Sequence, residues 1–178
     1  MFKLYLHMTR RHFLYALFMF LCIALHALSI DKRYRTYLTS NGMLHFIGKK
    51  KLTKTENITK FDFDITYITG TDSATVNFSF VTDVPTSMKS CSLTNGHVSV
   101  AAAHPRMMFR DIIKRGYKIR TTTTIAFNDL QQLYANESPF TFSLTLENGA
   151  GCTASFTPSQ WKKERKDLER VFSSINTH

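Results

Sequence analysis

The sequence predicts a mainly β protein, an antiparallel β-sandwich built of hairpins, with about eight to ten strands and one C-terminal amphipathic α-helix. Residues 60–81 alternate apolar and polar side chains, which is the period of a half-buried strand. Asn-Gly pairs, which tolerate the positive φ angles of tight hairpin turns, begin at residues 41, 95 and 148. Residues 158–175 place their apolar side chains at helical spacing instead. These patterns favour two packed sheets with the helix over one face or edge.

Residues 1–29 have the composition of a signal peptide. Basic residues precede an apolar run, residues 13–28, and Ala27 and Ser29 are small residues at the positions that an export peptidase reads. We therefore predict cleavage after Ser29, which leaves residues 30–178 as a single exported β-rich domain. The alternative is a retained N-terminal helix that anchors the protein, because the apolar run is near the lower length limit for spanning a bilayer.

The first part of the exported domain is predicted to consist of hairpins. Asn41-Gly42 joins two short strands, and a lysine-rich loop, residues 48–59, leads into the central hairpin, residues 60–81. Both apolar rows of that hairpin share one face when its turn is centred on Thr71 and Asp72. The expected cross-strand pairs are Tyr67 with Val76, Ile65 with Phe78, and Phe63 with Phe80.

Two further Asn-Gly pairs predict two further hairpins. A two-residue turn at Asn95-Gly96 aligns the apolar faces and pairs Leu93 with Val98 and Cys91 with Val100. At position 148 a two-residue turn would misalign the faces, so we expect a three-residue loop, residues 148–150, with a glycine bulge. The expected pairs around that loop are Leu146 with Cys152, Leu144 with Ala154, and Phe142 with Phe156.

Between these hairpins the pattern is weaker. Residues 105–114 fit either a strand or a short helix, whereas the Thr-rich residues 117–125 read as a strand. Asn128 is a candidate cap for a brief helix over residues 129–134. No internal repeat or second domain boundary interrupts this part of the chain.

The C-terminal helix is the best-marked single element. Thr157 and Gln160 form a capping-box pair, and Pro158 occupies the first helical position. Five apolar residues fall on one stripe of the helix, namely Trp161, Leu168, Val171, Phe172 and Ile175. Five basic residues lie mostly off that stripe and form a candidate face for an anionic partner, namely Lys162, Lys163, Arg165, Lys166 and Arg170.

The charge of the chain narrows the classes of partner. The whole sequence has a net charge of +10, and removal of three basic leader residues leaves 20 Lys and Arg against 13 Asp and Glu, or +7. Outside the cell, the anionic partners for such a chain are an envelope protein, an acidic polysaccharide or an anionic lipid surface rather than nucleic acid. Solubility alone also accounts for a positive charge of this size.

Cys91 and Cys152 are the cysteines that remain after leader removal. In an oxidising compartment they could form an inter-sheet disulfide, since both fall on apolar faces of different hairpins. Two buried free thiols, which pack as small hydrophobic side chains, are the other interpretation. The sequence leaves both open.

The sequence assigns no catalytic, cofactor-binding or metal-binding residue. It contains none of the local fingerprints of phosphate loops, dinucleotide folds, nucleophile elbows or zinc proteases. The acids of residues 62–64 resemble the start of a calcium loop, but the glycine and glutamate that close such a loop are absent. Distant loops could still assemble a hydrolase site around His97 or His104, although an exposed connector is the simpler interpretation of His104.

The resulting functional prediction favours a non-enzymatic binding or interaction module of the cell envelope, periplasmic or extracellular. It would use a sheet face, an edge strand or the basic helix to contact its partner. The alternatives are a hydrolase with a loop-built active site and a membrane-anchored envelope protein with a retained leader. No cofactor is predicted for any of them.

Overall fold

The computed structural model describes residues 34–54 and 57–176, except for the side chains of Lys54, Arg170 and Asn176. The predicted signal peptide, residues 1–29, lies outside the described residues. The described chain is mainly antiparallel β and forms two sheets with a C-terminal helix, which confirms the predicted fold class. It has eleven strands, because the short edge strand at Thr53–Lys54 and the segment that the sequence left open add to the predicted hairpins and the predicted Thr-rich strand.

The first sheet has six strands in the order β1-β2-β4-β5-β9-β8, and all neighbours are antiparallel. Sequential hairpins explain most of this order, since strands joined by a short turn pair with each other. The strands are β1 (Tyr34–Thr39), β2 (Gly42–Lys51), β4 (Lys60–Ile68), β5 (Ser73–Thr82), β8 (Ala103–Ile113) and β9 (Gly116–Ala126).

The second sheet has five strands in the order β3-β11-β10-β6-β7, again antiparallel throughout. Its edge strands β3 and β7 are only two and three residues long. The strands are β3 (Thr53–Lys54), β6 (Met88–Thr94), β7 (Ser99–Ala101), β10 (Thr141–Leu146) and β11 (Gly151–Ser155).

The central hairpin forms as predicted, but its register differs by two residues. The turn falls on residues 69–72, where Gly70 has a φ of +87° and the Thr71 N–H donates to the Ile68 carbonyl at 3.1 Å. A two-residue shift keeps every side chain on its own face, so the apolar pattern cannot distinguish the two registers. The predicted pairs are therefore wrong, and the pairs that form are Phe61–Phe80, Phe63–Phe78, Ile65–Val76 and Tyr67–Ala74.

The three Asn-Gly hairpins also form, each with a register two residues from the expected one. The first turn is at residues 40–41, and the second is a longer loop that pairs Leu93 with Val100. The third has the predicted three-residue length with Gly149 at a φ of +84°, but it spans residues 147–149 and pairs Leu144 with Cys152. The Asn-Gly pairs located these hairpins, and the length and position of each loop set the register.

The segment that the sequence left open is a strand. β8 pairs with β9 over most of its length, with irregularities between Ala103 and Arg106 and between Met107 and Phe109. The following helix, α1 (Phe127–Ala135), confirms the predicted helix in this region but begins before Asn128, and its cap residue Ala126 makes no side-chain capping bond.

The C-terminal helix, α2 (Pro158–Asn176), confirms the predicted element. The Gln160 side-chain oxygen accepts from the Thr157 N–H at 3.0 Å, and the Thr157 hydroxyl accepts from the Gln160 N–H at 3.3 Å, as in a capping box. All five predicted stripe residues are buried. Neither helix of the described chain is both long and apolar enough to cross a bilayer.

The two sheets pack face to face around an aromatic core. Phe142 of the second sheet lies 4.9 Å from Phe63 and 5.2 Å from Phe61 of the first, measured between ring centroids. Trp161 extends this core to α2, with its ring 5.4 Å from Tyr134 and from Phe140. Because Phe61 and Phe63 point inward, the intervening residues of β4 point to the outer face of the first sheet.

Candidate functional site

Cys91 and Cys152 lie in the same sheet, whereas the predicted inter-sheet disulfide requires them to lie in different sheets. Cys91 on β6 and Cys152 on β11 both lie opposite Leu144, on either side of β10. One intervening strand separates their backbones by about 9.5 Å, whereas a disulfide needs Cα atoms within about 7 Å. The disulfide interpretation is therefore wrong, and both residues are buried free thiols.

Burial makes these thiols unreactive. Desolvation, and secondarily the proximity of Cys152, raises the pKa of Cys91 to about 12. Desolvation likewise raises the pKa of Cys152 to about 11. Thiolate is the reactive form of cysteine, so neither residue has the properties of a nucleophile at neutral pH.

The predicted basic face of α2 is only partly available. Lys162, Lys163 and Lys166 are exposed, but Arg165 is partly buried and lies 3.4 Å from Glu169 and 3.9 Å from Glu137. The side chain of Arg170 lies outside the described residues. The acidic neighbours reduce the positive potential of this face, because opposite charges within a few ångströms offset each other.

The histidines do not converge on one site. His97 lies in the loop between β6 and β7, and His104 lies in the irregular start of β8 with a φ of +45°. Neither imidazole makes a hydrogen bond or ion pair within the described part of the chain. His45 is buried instead, with Nδ1 2.7 Å from the Tyr34 hydroxyl and Nε2 2.9 Å from the Thr69 hydroxyl. The described residues contain no group of three potential metal ligands.

A buried ion pair links the first sheet to α2. The β2–β4 register shifts between Ile47 and Lys50, and this bulge turns Lys50 toward the helix, where its Nζ lies 2.5 Å from a Glu164 carboxylate oxygen. Each side chain is only 5% exposed. The sequence contained one signal for this pair, since Glu164 follows Trp161 by three residues and precedes Leu168 by four, on the buried stripe.

A second polar network covers the middle of the outer face of the first sheet. Asp64 accepts from Arg120 at 2.7 Å and from the Asn77 side chain at 2.8 Å, and Arg120 also donates to Ser79 at 3.0 Å. Asp64 is 4% exposed, so this acid is a structural ion-pair partner rather than part of the solvated face that alternation predicts.

A basic groove lies beside this network, near the C-terminal end of β2. It is open to solvent and encloses about 820 Å³. Four lysines line it, namely Lys49, Lys51, Lys60 and Lys118. Leu52, Val81 and Ile113 are apolar residues of its lining, whereas Phe61 and Phe80, which also border it, are buried in the core. Sequence reasoning missed this groove, because its lysines come from three strands and only the sheet register brings them together.

The edge strand β8 is the second feature that the sequence did not identify. It is eleven residues long, pairs with β9 only, and ten of its residues are exposed. Eight large hydrophobic residues of the described chain are exposed, and five of them lie on β8. These five are Met107, Met108, Phe109, Ile112 and Ile113.

Comparisons of the chain with family models, with curated proteins and with solved structures give no significant match.

Proposed function

We propose that this protein is an exported, non-enzymatic binding module that captures an extended segment of a partner protein on β8. The observation that supports this function is the concentration of exposed apolar side chains on one long, unpaired edge. An edge strand offers free backbone N–H and C=O groups, and a partner strand that pairs with them extends the sheet. Side chains on both faces of β8 then contact alternate residues of the partner.

The charge of β8 and its turn defines the chemistry of the partner. Arg106, Arg110, Lys114 and Arg115 are exposed, against a single exposed acid, Asp111. A partner strand with acidic residues among apolar ones complements both the charge and the exposed hydrophobic side chains. The proposed ligand is therefore an extended acidic–apolar polypeptide segment.

A second copy of the chain is a poorer occupant of this edge. In a two-fold antiparallel pairing of the regular segment, residues 109–113, a register centred on Arg110 or on Asp111 sets that residue opposite itself. A register centred on Ile112 sets Arg110 opposite Lys114. Like charges directly opposite each other destabilise a strand pair. A different protein is therefore a better partner for β8 than a second copy of the chain.

The exported location rests on the leader pattern of residues 1–29. N-terminal sequencing of the native protein from the envelope or the medium is expected to begin at Ile30. A chain that begins at Met1 in the membrane fraction would instead support the anchored alternative.

Selection from a random twelve-residue peptide library displayed on phage tests the binding function. We expect enrichment of peptides that alternate acidic and apolar residues, with hydrogen-exchange protection of β8 amides on binding. Ile112→Glu, at a side chain that is 83% exposed, is expected to weaken binding at least tenfold through repulsion and lost apolar contact.

Leu38→Glu is the matched control, because Leu38 is 87% exposed on β1, the opposite edge of the same sheet. It adds the same charge and is expected to leave binding unchanged. Lack of enrichment, or equal weakening by both variants, would contradict the proposal.

A further inference from the structure

The basic groove has more positive charge than its own acid can offset. The Asp62 carboxylate lies 3.0 Å from the Lys49 ammonium group, and the Asp62 side chain is 14% exposed while the Lys49 side chain is half exposed. Lys51, Lys60 and Lys118 form no ion pair within the part of the chain that the structure describes. Lys118 instead lies 5.7 Å from the ring centre of Phe109. One acid against four lysines leaves the groove with a local positive potential.

The size and lining of the groove indicate more than a simple anion site. A volume of about 820 Å³ lies in the range of small-molecule sites and far exceeds the volume of one phosphate or carboxylate group. Ile113 is 36% exposed in this lining, and Leu52 and Val81 add small exposed apolar areas. Lysine binds phosphate and carboxylate as a flexible point charge, and its aliphatic stem packs against apolar ligand atoms.

We infer that this groove binds a small amphipathic anion, with one phosphate or carboxylate head on an apolar body. The head group contacts the lysine ammonium groups, and the body lies along the apolar lining. Each buried methylene of the body is expected to add about fourfold to the affinity. The groove borders β8 at Ile113, but its lysines lie on β2, β4 and β9, whereas peptide binding needs the free backbone edge of β8.

Isothermal titration with octyl phosphate, below its micelle concentration, tests this inference. We expect one site per chain and weaker binding at higher salt. Inorganic phosphate lacks the apolar body and octyl glucoside lacks the charged head group, so each is expected to bind at least tenfold more weakly. Lys60→Glu and Lys118→Glu are each expected to weaken octyl phosphate binding at least tenfold.

Lys166→Glu on α2 makes the same change of charge at an exposed site that does not line the groove, so it is expected to leave the affinity unchanged. Ile112→Glu is also expected to leave octyl phosphate binding intact, which separates failure of this site from failure of peptide binding. Absence of binding, equal affinity for inorganic phosphate, or an equal loss in Lys166→Glu would overturn the inference.

Discussion

At the scale of single residues, the buried thiols predict how stability depends on pH. Cys91 and Cys152 have a pKa of about 12 and about 11 in the folded chain, because burial disfavours the thiolate, against 9.0 for an exposed thiol. Above pH 9 the unfolded chain loses these protons first, so the free energy of unfolding decreases as the pH rises toward 11–12. Well below pH 9 the thiols are protonated in both states, and their contribution is constant.

We expect the Cys91 thiol to account for a loss on the order of 1 kcal/mol between pH 9 and pH 10. Urea unfolding of wild type and of Cys91→Ala at both pH values measures this, because the difference between the two proteins cancels the contribution of other titrating groups. Parallel pH dependence of the two proteins would show that the thiol titrates normally. Alkylation supplies a second check, with both thiols protected in the folded chain and reactive in denaturant.

At the scale of elements, the β8–β9 turn depends on one glycine. Gly116 has a φ of +105°, and a Cβ there would overlap the Thr82 carbonyl oxygen. Gly116→Ala therefore combines backbone strain with displacement of a neighbouring strand end, and we expect a loss of about 3 kcal/mol in the free energy of unfolding. The same substitution is expected to weaken peptide binding by β8, because this turn holds the edge strand in place.

Gly96→Ala is the control for backbone strain alone. Gly96 has a similar φ of +84°, but open space surrounds the position that a Cβ would take. We expect a loss of about 1 kcal/mol there, measured by the same urea titration. Losses of equal size at both positions would mean that the contact with Thr82 does not constrain the turn.

At the scale of the whole molecule, the Lys50–Glu164 pair couples the first sheet to α2. Lys50→Met leaves Glu164 buried without this cation, and we expect a loss of about 3–5 kcal/mol. The double variant Lys50→Met/Glu164→Leu removes both charges and is expected to recover most of that loss, since apolar residues often replace a buried ion pair without cost.

Fluorescence of Trp161, the only tryptophan in the chain, reports the junction of α2 with the core, and far-UV circular dichroism reports the sheets. Both signals are expected to change at one urea concentration in wild type. A double variant no more stable than Lys50→Met would show that the pair contributes through packing rather than through charge.

Local patterns identified most elements because their causes are local. Alternation in residues 60–81, three Asn-Gly turns and the Thr157–Gln160 capping box predicted the central hairpin, three more hairpins and α2. Registers were wrong by two residues in all four hairpins. A two-residue shift leaves each side chain on its face, so only the conformation of each turn, visible at Gly70 and Gly149, selects between the alternatives.

The sequence by itself determined the fold class, the secondary structure of most segments and the buried face of α2. Tertiary structure alone decided which strands are neighbours, and this decided the chemistry. β10 lies between Cys91 and Cys152, the bulge in β2 brings Lys50 to Glu164, and strand order leaves β8 at an edge. Periodicity assigns a residue to a face of its own strand, whereas contacts between distant strands depend on how the sheets are ordered and paired.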